Sequence, residues 1–283
     1  MIEPVAKDNH FLLTILKAMG EEPEALHLSW LGQSGFLLGH QNASVVLDPY
    51  LSDSLTEKYR FTGNPHIRMS ARVIAPGFLH LLAVRAVAAT HQHSDHLDGE
   101  TLRAMMYHTP RPKLIAPESC RLIAAQRAEV PAEEVIGLDD GSTADIEPFH
   151  LTAIPSAHEA VEKDNAGHCL YLGYVVRLGN WCIYHSGDTV LYDGLVERLA
   201  SLCIDIALLP INGRSPERRV AGNLNGREAA QLAKDIGAKL VIPCHYDMFT
   251  FNTADPYEQF VPECERLGQR YRVLKLGERF SFP

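Results

Sequence analysis

The densest group of possible metal ligands in this sequence is the segment THQHSDH at residues 90–96, which directly follows an apolar stretch. His91 and His93 are two residues apart, so an extended backbone directs both side chains to the same side. If the chain then turns into a helix, Asp95 and His96 point to a second position nearby. Imidazole nitrogens combined with a carboxylate oxygen suit zinc, manganese or iron. The segment therefore predicts a metal site in preference to a polar surface loop.

Three further residues that could bind a metal each follow an extended apolar stretch: His158, Asp188 and His245. Taken singly they indicate little, because a lone histidine at the end of a strand is more often a structural residue. Their joint order after the first cluster is what makes them informative. The neighbouring thiol of Cys244 is interpreted as a small buried residue rather than as a nucleophile.

Hydrophobic periodicity and turn residues predict the elements that position these side chains. A buried strand over 81–89 leads into the first cluster, and Asp98 then caps a helix that runs to about Tyr107. Asn225 and Glu228 form a capping-box pattern that begins another helix, which ends at Ile236. The other predicted helices are 8–19, 118–129, 190–199 and 255–267. The other predicted strands are 26–31, 36–38, 45–48, 113–116, 135–138, 146–154, 169–178, 181–185, 204–209 and 240–243, with a final hairpin of 271–276 and 279–282.

The order of these elements is strand-rich and then alternates between helix and strand, twice over. Two sheets in contact, with helices on the outside, satisfy this order and predict an α/β fold. The sequence contains no linker, low-complexity tract or short-period repeat, so residues 1–283 are expected to form one domain. Residues 51–80 are irregular and are expected to form an insertion or a lid.

The composition restricts the partners that we expect. The chain has 26 Lys and Arg against 35 Asp and Glu, a formal net charge of -9, which disfavours an extended surface for nucleic acid or for an anionic membrane. Its 14 histidines are a surplus that metal binding would explain. The 6 cysteines form no C-x-x-C pair, and no apolar run is long enough to span a membrane. A cytoplasmic protein with reduced thiols is expected.

Seven residues in a fixed order resemble the ligand set of the metallo-β-lactamase superfamily, and the similarity spans nearly the whole chain: His91, His93, Asp95, His96, His158, Asp188 and His245. The resemblance implies a four-layer αββα sandwich with a two-metal site at one edge. By this resemblance, His91, His93 and His158 hold the first metal. Asp95, His96 and His245 hold the second metal, and Asp188 bridges both.

A closer likeness is to the L-ascorbate-6-phosphate lactonase branch, which is associated with manganese as well as zinc. It rests on residues 30–35 (WLGQSG), 184–188 (YHSGD) and 243–247 (PCHYD), followed by Asp255-Pro256. The likeness implies a hydrolase that uses two divalent cations, Zn²⁺ or Mn²⁺, to open a small phosphorylated sugar lactone or a related ester. Two such cations lower the pKa of a bridging water and stabilise charge on a substrate oxygen, so no serine or cysteine nucleophile is needed.

The expected catalytic residues are Asp95, Asp188 and Tyr246. Asp95 could orient the attacking hydroxide while it binds metal. Tyr246 lies next to a ligand in sequence and could bind substrate or donate a proton, although it could equally close the wall of the pocket.

Three residues are expected to support the metal ligands: Asp48, Thr90 and Asp98. Metal-bound histidines usually donate their other N–H to a carboxylate or a carbonyl. For Asp98 a plain helix cap is an equal alternative. His168 and His185 either face the pocket or pack in the hairpin and the core.

The polar loop at 212–227 follows a strand whose C-terminal end is expected to face the metals. Asn212 and Arg214 are the expected substrate contacts, because a guanidinium group binds phosphate or carboxylate bidentately. Arg218 and Arg219 are as easily solvated loop residues, and Lys163 is a weaker candidate. One basic pocket in an acidic protein matches a small anionic substrate, for which phosphate is the expected charged group.

Two other functions stay open from the residues alone. One is a phosphodiesterase acting on a small cyclic or nucleotide phosphodiester, and the other is a metal-binding sensor without turnover. RNA processing is disfavoured by the acidic composition and by the lack of spare length after Asp188. The oligomeric state also stays open, because Tyr59, Phe61 and Phe78 suit either a lid or an interface between subunits of a homo-oligomer.

Overall fold

The computed structural model describes residues 1–218 and 221–282, and its helices and strands are given for that part of the chain. The helices are α1 (Asp8–Glu21), α2 (Ser54–Tyr59), α3 (Gly99–Met106), α4 (Arg121–Ala128), α5 (Leu195–Ala200), α6 (Gly226–Asp235) and α7 (Phe260–Leu267). The strands are β1 (Leu26–Gly32), β2 (Gly35–His40), β3 (Ala43–Leu47), β4 (Val84–Ala88), β5 (Lys113–Pro117), β6 (Val135–Leu138), β7 (Thr143–Ile146), β8 (Phe149–Pro155), β9 (Leu172–Leu178), β10 (Trp181–His185), β11 (Ile206–Pro210), β12 (Leu240–Cys244) and β13 (Arg279–Phe282).

The strands form two mixed sheets. The first has the order β13-β1-β2-β3-β4-β5-β6, antiparallel from β13 to β3 and parallel from β3 to β6. The second has the order β12-β11-β10-β9-β8-β7, parallel from β12 to β10 and antiparallel from β10 to β7. In each sheet, the strands that run in one direction bring their carboxyl ends to the same edge.

A large hydrophobic core lies between the sheets. Phe36 of β2 contacts His185 of β10 across this core, with ring centroids 5.9 Å apart, and the Tyr174 hydroxyl of β9 donates to the Ala89 carbonyl at 2.8 Å. Helix α4 packs on β5 and β6, and α6 packs on β11 and β12. The expected sandwich of two contacting sheets with helices outside is confirmed, and buried apolar strand faces explain it.

The capping box that the sequence predicts at α6 is present. The Asn225 side chain accepts a hydrogen bond from the Glu228 backbone at 3.0 Å, and the Glu228 carboxylate accepts one from the Asn225 backbone at 2.9 Å. These bonds satisfy two N–H groups that the first turn of a helix leaves free.

Several predicted elements differ from the structure. Residues 76–82 form a 3-10 helix, so the strand expected over 81–89 begins only at Val84. The strand expected over 146–154 begins only at Phe149, because a turn at Glu147-Pro148 separates it from β7. The final hairpin is wrong, because β13 pairs with β1. Helices α5 and α7 are shorter than predicted.

The described residues contain no helix that is both long and apolar enough to cross a membrane.

Candidate metal centre

The loop at residues 90–98 connects the end of β4 to α3. Asp98 caps that helix by accepting a hydrogen bond from a backbone N–H of the first turn at 3.3 Å, which fits one of its two predicted roles. Arg127 holds the loop from outside, because its Nη1 donates to the Gln92 carbonyl at 2.6 Å and to the Leu97 carbonyl at 2.9 Å. The loop is therefore fastened along its length, which gives its histidines a defined direction.

The seven residues of the expected ligand set come from four strand ends and converge at one edge of the sandwich. They form three overlapping groups, and within each group the possible ligand atoms lie within 4.8 Å of one another. The groups are His91, His93 and His158; His91, His96 and Asp188; and Asp95, His96 and His245. The first and third groups are the two sets that the resemblance implied.

Asp188 lies between these two sets. Its Oδ1 is 3.4 Å from His96 Nε2, and its Oδ2 is 3.6 Å from His158 Nε2 and 3.4 Å from His245 Nε2. His158 is turned toward Asp188 because its other ring nitrogen contacts the Gly222 carbonyl at 2.8 Å. This is the position that a carboxylate shared by two cations would occupy.

The electrostatics of the centre favour a positive charge inside it. Burial lowers the pKa of His91 well below its ordinary value, so this imidazole is neutral and has a lone pair for a metal. Burial alone would also lower the pKa of His96, but the carboxylates of Asp188, Asp48 and Asp95 outweigh burial and raise it well above the ordinary value. Burial would raise the pKa of Asp188, but its interactions with His96 and His245 hold it well below its usual range instead. The three carboxylates that favour a proton on His96 would favour a metal cation at the same place, because both are positive charges.

The carboxylate of Asp48 lies behind the ligands and accepts hydrogen bonds from three residues around it. Its Oδ2 accepts from His96 Nδ1 at 2.7 Å, from His185 Nε2 at 2.9 Å and from Thr90 Oγ1 at 2.7 Å, and its Oδ1 accepts from Thr90 N at 2.7 Å. Burial would raise the pKa of Asp48, but the contacts to His96 and His185 lower it to about 2. The structure thus places Asp48 and Thr90 where supporting residues were expected. It also places His185 behind the site, between the two sheets, rather than in the pocket.

Gln33 is a residue of the centre for which the sequence analysis gave no role. Its side chain is fully buried, and its Nε2 donates to Asp95 Oδ2 at 2.9 Å. Its backbone has φ of +52°, and its carbonyl accepts from Trp30 Nε1 at 3.0 Å and from His245 N at 2.9 Å. The turn between β1 and β2 therefore aims the amide at Asp95. The only earlier sign of this residue was its place in the WLGQSG segment.

A cavity of about 560 Å³ opens over the centre, a size that suits a small molecule. Its floor includes His93, Asp95, His158, Asp188 and His245. The walls are formed by residues that the sequence analysis did not assign to substrate: Lys58, Tyr59, His66, Arg127, Tyr171, Phe249 and Phe251. Most of them lie in loops, which carry no periodic signal.

Tyr246 does not reach this cavity. Its ring stacks on Trp30 with centroids 4.2 Å apart, and its buried hydroxyl donates to the Leu274 carbonyl. The direct substrate contact expected for Tyr246 is therefore corrected to a core position behind the site. Two tyrosines line the cavity, Tyr59 and Tyr171, and the ring centroid of Tyr171 is 5.3 Å from that of His91.

Asn212 and Arg214 also lie away from this cavity, and the expectation for both is corrected. Asn212 is buried and donates to the Asn252 side chain at 2.9 Å. Arg214 forms an ion pair with Glu228 at 2.5 Å beside a separate polar cavity. The chain doubles back after β11, because Asn212 bridges to Asn225, and this reversal turns the arginine away from the metals.

The remaining basic candidates are also accounted for. Arg218 donates to the Asn212 and Thr253 carbonyls, and Arg219 lies outside the described residues. His168 pairs with Asp164 at 3.4 Å, away from the cavity. Lys163 is exposed and does not line the cavity.

Comparison with known proteins agrees with this geometry. A family model described as the Beta-lactamase superfamily domain matches residues 44–246, which is more than half of the chain. The chain belongs to the metallo-β-lactamase superfamily. The matched region begins in β3 and ends directly after His245, so it contains every residue of the expected ligand set.

Relatives within the superfamily are similar over most of their length. A protein from Opitutus terrae named UPF0173 metal-dependent hydrolase is 28% identical over 258 residues, 89% of this chain and 98% of that protein. One of the same name from Methanoregula boonei is 30% identical over 233 residues, 81% of this chain and 86% of that protein. In fold, a possible metal-dependent hydrolase from Veillonella parvula is similar with a TM-score of 0.72 at 13% identity, over 91% of this chain and 100% of that chain. The chain is a metal-dependent hydrolase of this superfamily.

The residues present fit a metal in this superfamily member. Three buried atoms that point into the centre have no hydrogen-bond partner among the described residues: His91 Nε2, His96 Nε2 and Asp188 Oδ1. Buried polar atoms are nearly always satisfied, so three unpartnered atoms at one point indicate a place where a bound group would be coordinated. Imidazole nitrogens and a carboxylate oxygen are donors that divalent transition metals accept.

Proposed function

We propose that this hydrolase opens a small phosphorylated sugar lactone or a related ester, with two divalent cations, Zn²⁺ or Mn²⁺, in the centre. The observation that carries the proposal is the convergence of the seven side chains around orphaned buried atoms, at the floor of a cavity of small-molecule size. The closer likeness to lactonases supports the choice of bond. Zinc and manganese both suit this set of nitrogen and oxygen donors.

In the proposed centre, His91, His93 and His158 would hold one cation. The other would be held by Asp95, His96 and His245, and Asp188 would contact both. Bound divalent cations supply acidity to a water molecule and stabilise negative charge on a substrate oxygen.

The chain's own groups would position the reactants. Asp95 lines the cavity, and because Gln33 occupies its Oδ2, its Oδ1 is the oxygen that would accept a hydrogen bond from the attacking water. Tyr171 would donate its phenolic proton to the leaving oxygen of the opened ring. Burial raises the pKa of Tyr171, so its hydroxyl keeps this proton at neutral pH.

The test begins with elemental analysis of the protein as purified, followed by hydrolysis assays with that metal restored. A lactone panel is compared with bis(p-nitrophenyl) phosphate, which reports phosphodiesterase activity. Asp188→Asn and His93→Ala are expected to lower kcat/KM by at least about 100-fold, because they remove ligands of the cations. Tyr171→Phe is expected to lower kcat by about 100-fold with bound metal unchanged. The matched control is His150→Ala, since His150 lies at the surface beside Asp145.

Several results would overturn the proposal. Activity that survives both chelation and the Asp188→Asn change would exclude the centre. Hydrolysis of the phosphodiester but not of the lactones would favour the phosphodiesterase alternative. Full metal content with no turnover of either class would favour the sensor.

We also propose a cytoplasmic location and a small-molecule partner, without nucleic acid or membrane. All 6 cysteines are unpaired, which fits a reducing compartment. The volume of the cavity suits a small anionic substrate, and the acidic composition disfavours a polyanion. A homo-oligomer stays a hypothesis that sedimentation would test.

A further inference from the structure

One wall of the cavity is made of aromatic rings. Tyr59 stacks on His66 with ring centroids 4.0 Å apart and an interplanar angle of 13°. His66 lies 4.4 Å from the ring of Phe251 and 5.6 Å from that of Phe249. All four rings line the cavity over the metal centre. We call these four residues the aromatic wall.

Three rings of the aromatic wall, those of His66, Phe249 and Phe251, lie in two segments that bind each other, and Tyr59 is the last residue of α2. Met69 N donates to the Met248 carbonyl at 2.7 Å, and Thr250 N donates to the Ile67 carbonyl at 3.1 Å. A β-bridge joins Arg68 to the same region. Residues 66–70 and 247–252 therefore form one unit. Through His66, this part of the 51–80 segment contributes to the wall of the cavity.

The rings are packed on one side and open to the cavity on the other. Phe249 is only 2% exposed and belongs to a small hydrophobic cluster apart from the main core, against which Tyr59 and Phe251 pack. Tyr59, His66 and Phe251 are only partly buried and line the cavity. Partly exposed rings that face a cavity form a surface on which the ring of a ligand gains from burial.

A cation stands at the end of this wall. Lys58 lines the cavity, is exposed, and has its Nζ 5.1 Å from the Tyr59 ring centroid. Among the described residues, no carboxylate lies within ion-pair distance of this ammonium group. Arg127, the other strong cation of the cavity, already donates to two backbone carbonyls. Lys58 is therefore the cation of the cavity that could bind an anionic group of the substrate.

We propose that the aromatic wall binds the ring of the substrate face to face while Lys58 binds its anionic group. The substrate class is then a cyclic ester whose ring presents a face of C–H groups to the aromatic rings and which carries one phosphate or carboxylate away from the scissile bond. This inference rests on the proposed function, because it specifies which esters the same centre opens. The ring would lie on the wall, the carbonyl would face the metal floor, and the anion would point to the rim.

The experiment compares three compounds with the metal-loaded enzyme: a phosphorylated six-membered sugar lactone, the same lactone without phosphate, and phosphoglycolate methyl ester, which has no ring. Phe251→Leu keeps apolar volume but removes the ring, and Lys58→Met keeps the apolar stem but removes the charge. The controls are Phe61→Leu, because Phe61 is 94% exposed and does not line the cavity, and Lys163→Met, whose ammonium group lies outside the cavity.

Phe251→Leu is expected to raise KM for both lactones by about fivefold and to leave KM for the open-chain ester unchanged. Lys58→Met is expected to raise KM for the phosphorylated lactone by about tenfold and to leave that of the unphosphorylated lactone unchanged. In each case kcat stays within about twofold, because the changed groups contact parts of the substrate that do not react. Both control variants should match the wild type.

If Phe251→Leu changes KM for the lactones and for the open-chain ester by the same factor, the aromatic wall does not bind the substrate ring. If Lys58→Met changes KM for the phosphorylated and the unphosphorylated lactone by the same factor, Lys58 does not bind the phosphate. If the loaded protein hydrolyses none of the compounds, the proposed function fails, and calorimetry on the same loaded protein decides the inference separately. The inference is supported if the phosphorylated lactone has a lower Kd than the open-chain ester and if this difference disappears in Phe251→Leu. Equal Kd values for the two compounds would reject the inference.

Discussion

The two sides of the cavity are built in different ways. The metal side is formed by residues at the ends of strands, and buried hydrogen bonds centred on Asp48 hold them. The aromatic wall is formed by residues outside the sheets. Tyr59 ends α2, and backbone hydrogen bonds between 66–70 and 247–252 hold the segments that carry the other three rings. One scaffold can therefore build one side of a cavity from buried residues at strand ends and the opposite side from loops and a short helix.

The largest expected effect concerns the support of the metal side. Asp48→Asn removes the charge that accepts the His96 and His185 hydrogen bonds, so His96 loses its orientation. We expect the affinity for the metal to fall by about 10–100-fold, measured by competition with a chelator. Asp205→Asn is the matched control, because Asp205 is also buried and accepts a backbone hydrogen bond from Cys182 at 2.8 Å, far from the ligands. An equal loss in both variants would mean that only general stability had changed.

The pH dependence of the free energy of unfolding should report the contribution of ionised Asp48 and its hydrogen bonds. The pKa of Asp48 is lowered from 3.8 to about 2 in the folded protein, so its ionised form stabilises the fold above about pH 4. That stabilisation, on the order of 2 kcal/mol, is lost as the pH falls through about 2. Chemical unfolding of the metal-free protein at a series of pH values should therefore show a smaller acid-induced loss in Asp48→Asn than in the wild type. Parallel curves would contradict this reading of the network.

A smaller effect is expected for the residue that orients Asp95. Gln33→Met keeps the length of the side chain and removes the hydrogen bond to Asp95 Oδ2. A lost hydrogen bond to a charged group predicts a reduction of kcat by about tenfold, with an altered acidic limb of the pH–rate profile. Gln269→Met is the control, since the buried Gln269 amide donates only to the Ala238 and Arg270 carbonyls. A change in stability without a change in the pH profile would reduce Gln33 to a packing role.

The smallest effect is expected where the sequence analysis had placed the substrate. Arg214 is half exposed and pairs with Glu228 away from the metal cavity. An exposed ion pair contributes less than about 1 kcal/mol, so Arg214→Ala should hardly change the free energy of unfolding. Its KM should equal that of the wild type, in contrast to Lys58→Met. A clear rise in KM for Arg214→Ala, with no rise for Lys58→Met, would place the anion-binding residue in the 212–227 loop instead of at Lys58.

The predicted elements succeeded where the signal was local. The capping box of Asn225 and Glu228 and the cap at Asp98 were predicted correctly, because each is a pattern within four residues. The final hairpin failed because adjacency in sequence favoured a partner at 271–276. The actual partner of β13 is β1, at the opposite end of the chain. Nothing within a short window encodes such a pairing.

The candidate site shows the same division. The seven possible ligands were predicted from their order along the chain and its resemblance to a known ligand set, because His158, Asp188 and His245 taken singly indicate little. His185 stayed ambiguous, because its contact with Asp48 joins strands of different sheets. Gln33 and Phe251 had no distinguishing pattern, because each matters only through a neighbour that lies far away in the sequence.

The amino-acid sequence was enough to predict the possible metal ligands, the fold class and the caps at Asp98 and Asn225, because residue type, periodicity and capping patterns are local properties. Tertiary structure alone decided that Tyr246 lies in the core, that Arg214 turns to Glu228, and that Lys58 stands beside the aromatic wall. The physical reason is that periodicity specifies which face of an element is buried, whereas the occupant of the space opposite that face depends on how distant segments pack.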